Sequence, residues 1–213
     1  MRKKDLEFIL ETIPSFPRPK VYLEQYVTPS DIASDIIWYA YMSSDLVDSI
    51  VVDLGAGTGR LGLGAAILEA KYVILIDVDE ESLKVALSWS KENKLANVDF
   101  IISDVRSMPI REIATKVLVI QNPPFGIRSR VSDVDFLKSA FNIALVVYSL
   151  HRKHEKSRQF LKSVALNFGF NAKLIKTYQF RIPQIYEDHY RRAYYIEVDL
   201  WRFERRGYDK KQG

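Results

Sequence analysis

Short apolar runs of four to six residues alternate along the first two thirds of the chain with stretches whose apolar positions recur at helical spacing. Ile50-Val51-Val52-Asp53-Leu54, Tyr72 to Ile76 ending at Asp77, Val98 to Ile102, Lys116 to Ile120 and Ile143 to Tyr148 read as strands. Helices are expected from Leu61 to Ala70, from about Glu80 to Asn93, from Asp133 to Ala140, and through the basic stretch that ends at Phe168 before Gly169. Ile32, Ile36, Ile37 and Ala40 mark another helix, which opens at Ser30-Asp31. Strand–helix alternation of this kind builds a parallel sheet covered on both faces. Lys173 to Phe180 and Tyr194 to Phe203 alternate instead like an antiparallel pair, around a connection carrying Tyr186, His189, Tyr190, Arg191 and Arg192. The N-terminus predicts a small helix around Leu6 to Leu10, then a connector broken by Pro14, Pro17 and Pro19. The expected fold is a Rossmann-like α/β domain with a seven-stranded, mostly parallel sheet and an antiparallel C-terminal hairpin. Residues 1–22 are expected as an extension, 23–205 as the domain and 206–213 as a frayed tail.

Composition narrows the classes. A chain of 213 residues with 47% hydrophobic content fills one globular core. No stretch reaches the roughly 18 apolar residues of a membrane span, and no apolar signal core follows Met1, so a cytoplasmic protein is expected. The absence of cysteine excludes disulfides and thiolate ligands, and with only His151, His154 and His189 no metal site is expected. His151 and His154 have a helix-compatible spacing. The net charge of +4 is mild, but basic residues recur at 2–4, 18–20, 151–162 and 202–211. That recurrence suits a surface that follows phosphates.

The chemistry gathers at the predicted strand ends, where open α/β sheets place their ligands. Gly57-Thr58-Gly59-Arg60-Leu61-Gly62 fits the dinucleotide pattern G-x-G-x-x-G. The overlapping frame Asp53-Leu54-Gly55-Ala56-Gly57-Thr58-Gly59 fits the glycine loop of S-adenosylmethionine-dependent methyltransferases. An acid immediately before the glycines repels a pyrophosphate but favours a sulfonium and an ammonium. Asp77 suits ribose hydroxyls in either frame; Asp104 suits an adenine amino group, with Val105 against the ring. Asn122-Pro123-Pro124-Phe125 decides between them. An exocyclic amine can donate one hydrogen to the Asn122 side-chain oxygen and one to the Pro123 carbonyl, while Pro124 stiffens the turn and Phe125 offers a face for stacking. Amino-group methylation needs such a lip; hydride transfer does not.

These segments resemble the small-subunit ribosomal RNA N6-adenine methyltransferases. The resemblance rests on Leu23-Glu24-Gln25-Tyr26-x-Thr28, the Asp53 loop, Asp77-x-Asp79, Asn122 to Gly126, Asp135-x-x-Leu137, Tyr148-Ser149-Leu150-His151 and Ile196 to Leu200, and so spans about residues 20 to 203. It implies that Gln25, Thr28, Gly55, Thr58 and Arg60 close over S-adenosylmethionine and that Asn122 to Phe125 hold the target adenine in structured RNA. It also implies a small zinc-binding activator protein in eukaryotic members, paired with a sheet edge. Ile127 departs from the Thr frequent after that Gly. Two rivals remain open at this level: a protein glutamine methyltransferase using the same lip, and a non-catalytic RNA-binding module that keeps the fold.

Overall fold

A computed structural model describes residues 1–110, 116–125, 131–183 and 193–208. Its sheet has seven strands: β1 (Ile50–Leu54), β2 (Tyr72–Asp77), β3 (Val98–Ile102), β4 (Val117–Gln121), β5 (Val146–Arg152), β6 (Phe170–Pro183) and β7 (Ala193–Arg205). They lie in the order β3-β2-β1-β4-β5-β7-β6. The first five pair in parallel, while β7 runs antiparallel to both β5 and β6. The order reverses between β1 and β4, which opens a crevice at their carboxyl ends.

Pleating divides the core. Val51, Ile120 and Tyr148 point to one face; their neighbours Val52, Val119 and Val147 point to the other. The first face is covered by α1 (Lys3–Glu11), α2 (Ser30–Met42), α3 (Arg60–Ile67) and α4 (Glu80–Glu92). The second is covered by α5 (Asp133–Ile143) and α6 (Glu155–Asn167). Strands buried on both faces explain why β1 and β4 read as continuous apolar runs. Leu6 and Leu10 of α1 are fully buried, so the N-terminal segment belongs to the core.

Several expected boundaries move. The helix expected to end near Ala140 continues to Ile143, because Ala140 and Ile143 keep burying on the helical period. The fifth strand therefore begins at Val146 rather than Ile143 and runs on through His151, which lies in a strand and not in a helix with His154. The helix expected from Leu61 to Ala70 stops at Ile67, where the chain turns through a left-handed Glu69. The C-terminal strands are longer than expected, with an irregularity between Leu174 and Lys176. The residues singled out between them, Tyr186, His189, Tyr190, Arg191 and Arg192, lie outside the described residues.

One buried polar cluster ties the hairpin to the parallel sheet. Asp45, fully buried, accepts hydrogen bonds from Tyr148 Oη at 2.6 Å and from Arg202 Nε at 2.7 Å. Tyr148 and Arg202 face each other across β5 and β7. Removing one partner of a buried pair strands the other charge. Arg202→Met is expected to cost about 3–5 kcal/mol of stability, read by chemical denaturation.

Candidate active site

The glycine loop leaves β1 and enters α3. Its positive φ at Gly55 and Gly57 (69° and 54°) already excludes most side chains. A Cβ at Gly55 would lie 2.8 Å from the Phe136 ring, and one at Gly57 would lie 2.7 Å from the Phe16 ring. Two aromatic rings thus press directly on the loop. Two carboxylates hold it from below. Asp77 Oδ2 accepts from Gly57 N–H at 2.7 Å, and Asp53 Oδ2 accepts from Gly62 N–H at 2.7 Å.

Two adjoining clefts open around this loop. The larger is lined by Gln25, Gly55, Gly57, Asp77, Asp104, Val105, Asn122, Pro123 and Pro124 among others. The smaller is lined by Thr28, Asp53, Thr58, Arg60 and again Gly55, Gly57 and Asn122. Nearly all the residues selected from the sequence therefore converge. Gly59 and Phe125 do not line either cleft. Gly59 turns the chain into α3 at φ 87° against Leu75 and Ala86. Phe125 stacks on Tyr26 (centroids 6.0 Å apart, 16° between planes) and meets Phe180 edge-on.

The acids differ in state. Burial pushes the Asp53 carboxyl up to about 7; the Gly62 N–H opposes this, and the nearby Asp77 adds to it. Burial likewise raises Asp77, against backbone donors from Asp79 and Gly57. Burial also pushes upward on Asp79, but hydrogen bonds from Lys20, Ser82 and Gln25 together hold it below its ordinary range. The Arg106 guanidinium, bonded through Nε and a terminal nitrogen, holds Asp104 down.

Other selected residues make contacts the sequence does not reveal. Gln25 donates to Asp79 at 2.7 Å and accepts from Lys20 N–H at 2.8 Å. Arg60 donates to the carbonyls of Thr28 and Ile13. Asn122 Nδ2 donates to Thr28 Oγ1 at 3.0 Å, which leaves its buried Oδ1 without a partner. Asp53 Oδ1 is also buried and unpartnered. Sequence reasoning missed Phe16 as a wall of both clefts. Its setting among three prolines reads as a connector, and nothing local shows that Lys20 and Arg18 strap that connector to Asp79 and Glu81.

Residues 47–144 match the family model described as a methyltransferase domain. An uncharacterized protein of Methanocaldococcus jannaschii is 36% identical over 98% of this chain and 97% of its own. The rRNA N6-adenosine-methyltransferase METTL5 of Danio rerio is 32% identical over 95% of this chain and 99% of its own. The chain belongs to the METTL5 family of methyltransferases. A crystal structure from Pyrococcus horikoshii, provisionally named an RNA methyltransferase, superposes with a TM-score of 0.87 at 38% identity, covering 96% of this chain and 98% of that one. The seven-stranded order and the antiparallel hairpin are thus those of its family.

S-adenosylmethionine is the cofactor of this chemistry, and the orphaned oxygens of Asp53 and Asn122 fit it and an amine substrate in turn. An unpartnered carboxylate oxygen at Asp53 suits the cationic end, and an unpartnered amide oxygen at Asn122 suits an incoming amine. The buried Asp53 carboxyl couples the stability of the cofactor-free protein to pH. Unfolded, Asp53 titrates near about 3.9; folded, it binds its proton more tightly. Stability therefore falls as pH rises from about 4 to about 7, by up to about 4 kcal/mol. Asp53→Asn is expected to remove that fall. It should raise the melting temperature of the cofactor-free protein at pH 8 while weakening S-adenosylmethionine binding, read by melting curves across pH and by titration calorimetry.

Proposed function

We propose that the protein transfers the methyl group of S-adenosylmethionine to N6 of an adenine in structured ribosomal RNA. One observation carries the reading. Asn122 lines both clefts, its amide nitrogen is bonded to Thr28, and its oxygen is buried and unpartnered. With its nitrogen turned to Thr28, the amide keeps its oxygen for a donor, which suits an incoming amine. The family membership supplies the rest: METTL5 relatives are named for N6-adenosine in rRNA.

The cofactor supplies an activated methyl on a positively charged sulfur, so the protein's work is orientation and electrostatics. Asp53, ionised, faces the cationic portion. Asp77 keeps lone pairs for ribose hydroxyls beside its bonds to the loop, and Asp104 and Val105 border the adenine end. Gly55, Gly57, Thr58 and Arg60 line the methionine end, under Gln25 and Thr28. Asn122 Oδ1 and the Pro123 carbonyl accept the two amine hydrogens, which draws the nitrogen lone pair out of the ring. The target base leaves its stack to reach them. Phe125 contributes its ring, stacked on Tyr26 and edge-on to Phe180.

The basic residues divide in two. Lys20, Arg158 and Arg202 are committed to Asp79, Asp199 and Asp45. Arg152, Lys156 and Lys162 are exposed around the start of α6 and are assigned here to phosphates. Activity is assigned to residues 23–205, with 1–22 covering the cofactor and 206–213 as a tail. A small zinc-binding activator, as the resemblance implies for eukaryotic members, would dock on β3 or β6, the outermost strands. Among the described residues no helix is long and apolar enough to cross a membrane, and a cytoplasmic site of action is proposed.

Asn122→Ala is expected to lower methyl transfer by roughly 10²-fold or more while leaving S-adenosylmethionine affinity nearly intact. Labelled-methyl transfer to small-subunit rRNA, with release factors as the competing substrate, reads the first, and titration calorimetry the second. A variant that methylates N6 at the normal rate removes Asn122 from the mechanism, and transfer to the release factors alone favours the glutamine reading.

A further inference from the structure

The segment Tyr148-Ser149-Leu150-His151 has no part in the chemistry above, since neither Ser149 nor His151 lines a cleft. Its polar side chains are nevertheless buried, Ser149 at 0% and His151 at 1% exposure. β5 pairs in parallel with β4, and Ser149 lies opposite Gln121. Gln121 Nε2 donates to Ser149 Oγ at 3.0 Å. Ser149 Oγ lies 2.8 Å from His151 Nε2, and His151 Nδ1 lies 2.9 Å from Asp133 Oδ2.

The directions of these bonds follow from the groups. An ionised carboxylate only accepts, so Nδ1 carries a proton. In the neutral imidazole Nε2 then accepts, and the serine hydroxyl donates to it while accepting from Gln121. Each bond then has one donor and one acceptor along the chain, and Gln121 Oε1 stays buried without a partner. The set has the composition of a nucleophilic triad, but its hydroxyl is sealed from solvent and engaged on both sides. It is built to hold, not to attack.

What it holds is specific. Gln121 is the last residue of β4 and is bonded directly to Asn122. Asp133 is the first residue of α5. The segment that carries Asn122 to Phe125 thus has both its roots joined through two side chains of β5, a strand outside it. α5 also carries Phe136, which packs on Gly55.

We propose that Ser149 and His151 are positioning residues for methyl transfer, setting the aim of Asn122 by locking Gln121 and Asp133 together. The inference rests on the reading of Asn122 under Proposed function. It assigns the Tyr-Ser-Leu-His segment to the rate of transfer and not to cofactor binding, because none of its bonds reaches a cleft.

The test compares wild type, Ser149→Ala, His151→Ala and, as a control, Thr177→Val. The control removes a hydrogen bond to buried Asp199, which lies opposite His151 across β5 and β7, a loss of the same kind that leaves the Gln121–Ser149–His151–Asp133 bonds in place. Single-turnover methyl transfer to rRNA at saturating S-adenosylmethionine is measured beside cofactor affinity, melting temperature and amide hydrogen exchange. Ser149→Ala, which changes little volume, and His151→Ala are each expected to slow transfer roughly 10- to 100-fold, as misplacement of a reacting group does. Cofactor affinity should hold, and exchange should quicken at the amides of residues 121, 122, 125 and 131–135. Thr177→Val should lose comparable melting temperature and keep its rate. The proposal is overturned if Ser149→Ala transfers at the wild-type rate, if its cofactor affinity falls in step with its rate, or if Thr177→Val slows equally. If wild type itself methylates no adenine, the reading of the function fails instead. The exchange arm then decides the anchoring alone: unchanged exchange at those residues in Ser149→Ala overturns it.

Discussion

Two buried carboxylates carry the loop on which the site is built. Asp53 and Asp77 stand at the ends of adjacent parallel strands, and each spends one oxygen on a backbone N–H of the glycine turn or the helix behind it. Burial makes each charge costly, and at Asp53 the cost is only partly offset, since its second oxygen has no partner. A cationic ligand would complete what the fold leaves incomplete. The site is thus a place where the structure trades stability for binding.

The same economy governs the amide at residue 122. Thr28 occupies one end of that side chain, and burial withholds water from the other. A side chain that could donate or accept is held with its nitrogen on Thr28 and its oxygen without a partner. Selectivity arises from what a neighbour takes away, not from what the residue is.

The N-terminal segment is bound into this design. Leu6 and Leu10 of α1 are in the core, Trp89 donates to Thr12, and Lys20 and Gln25 share Asp79. Phe16 is carried to the glycine loop by these ties. Asp79 does several jobs at once: it caps α4, pairs with Lys20 and orients Gln25. Such sharing explains why its carboxyl stays ionised despite its burial.

The sequence by itself determined the local structure and the neighbourhood of the site. β1 and β3 run over the residues the apolar pattern marks, and the buried face of α2 is the one its period selects, because those patterns repeat over a few residues. Acids and an Asn-Pro-Pro-Phe turn at successive strand ends were legible for the same reason: parallel strands bring their carboxyl ends to one edge. The tertiary structure alone decided the pairings. Thr28 meets Asn122, Phe16 meets Gly57, Asp45 meets Arg202, and Gln121 is joined to Asp133 through β5. These partners lie far apart in the chain, and their meeting depends on strand order and helix packing. No short-range pattern encodes that, so Phe16 read as part of a connector and Arg202 as one more residue of a basic run.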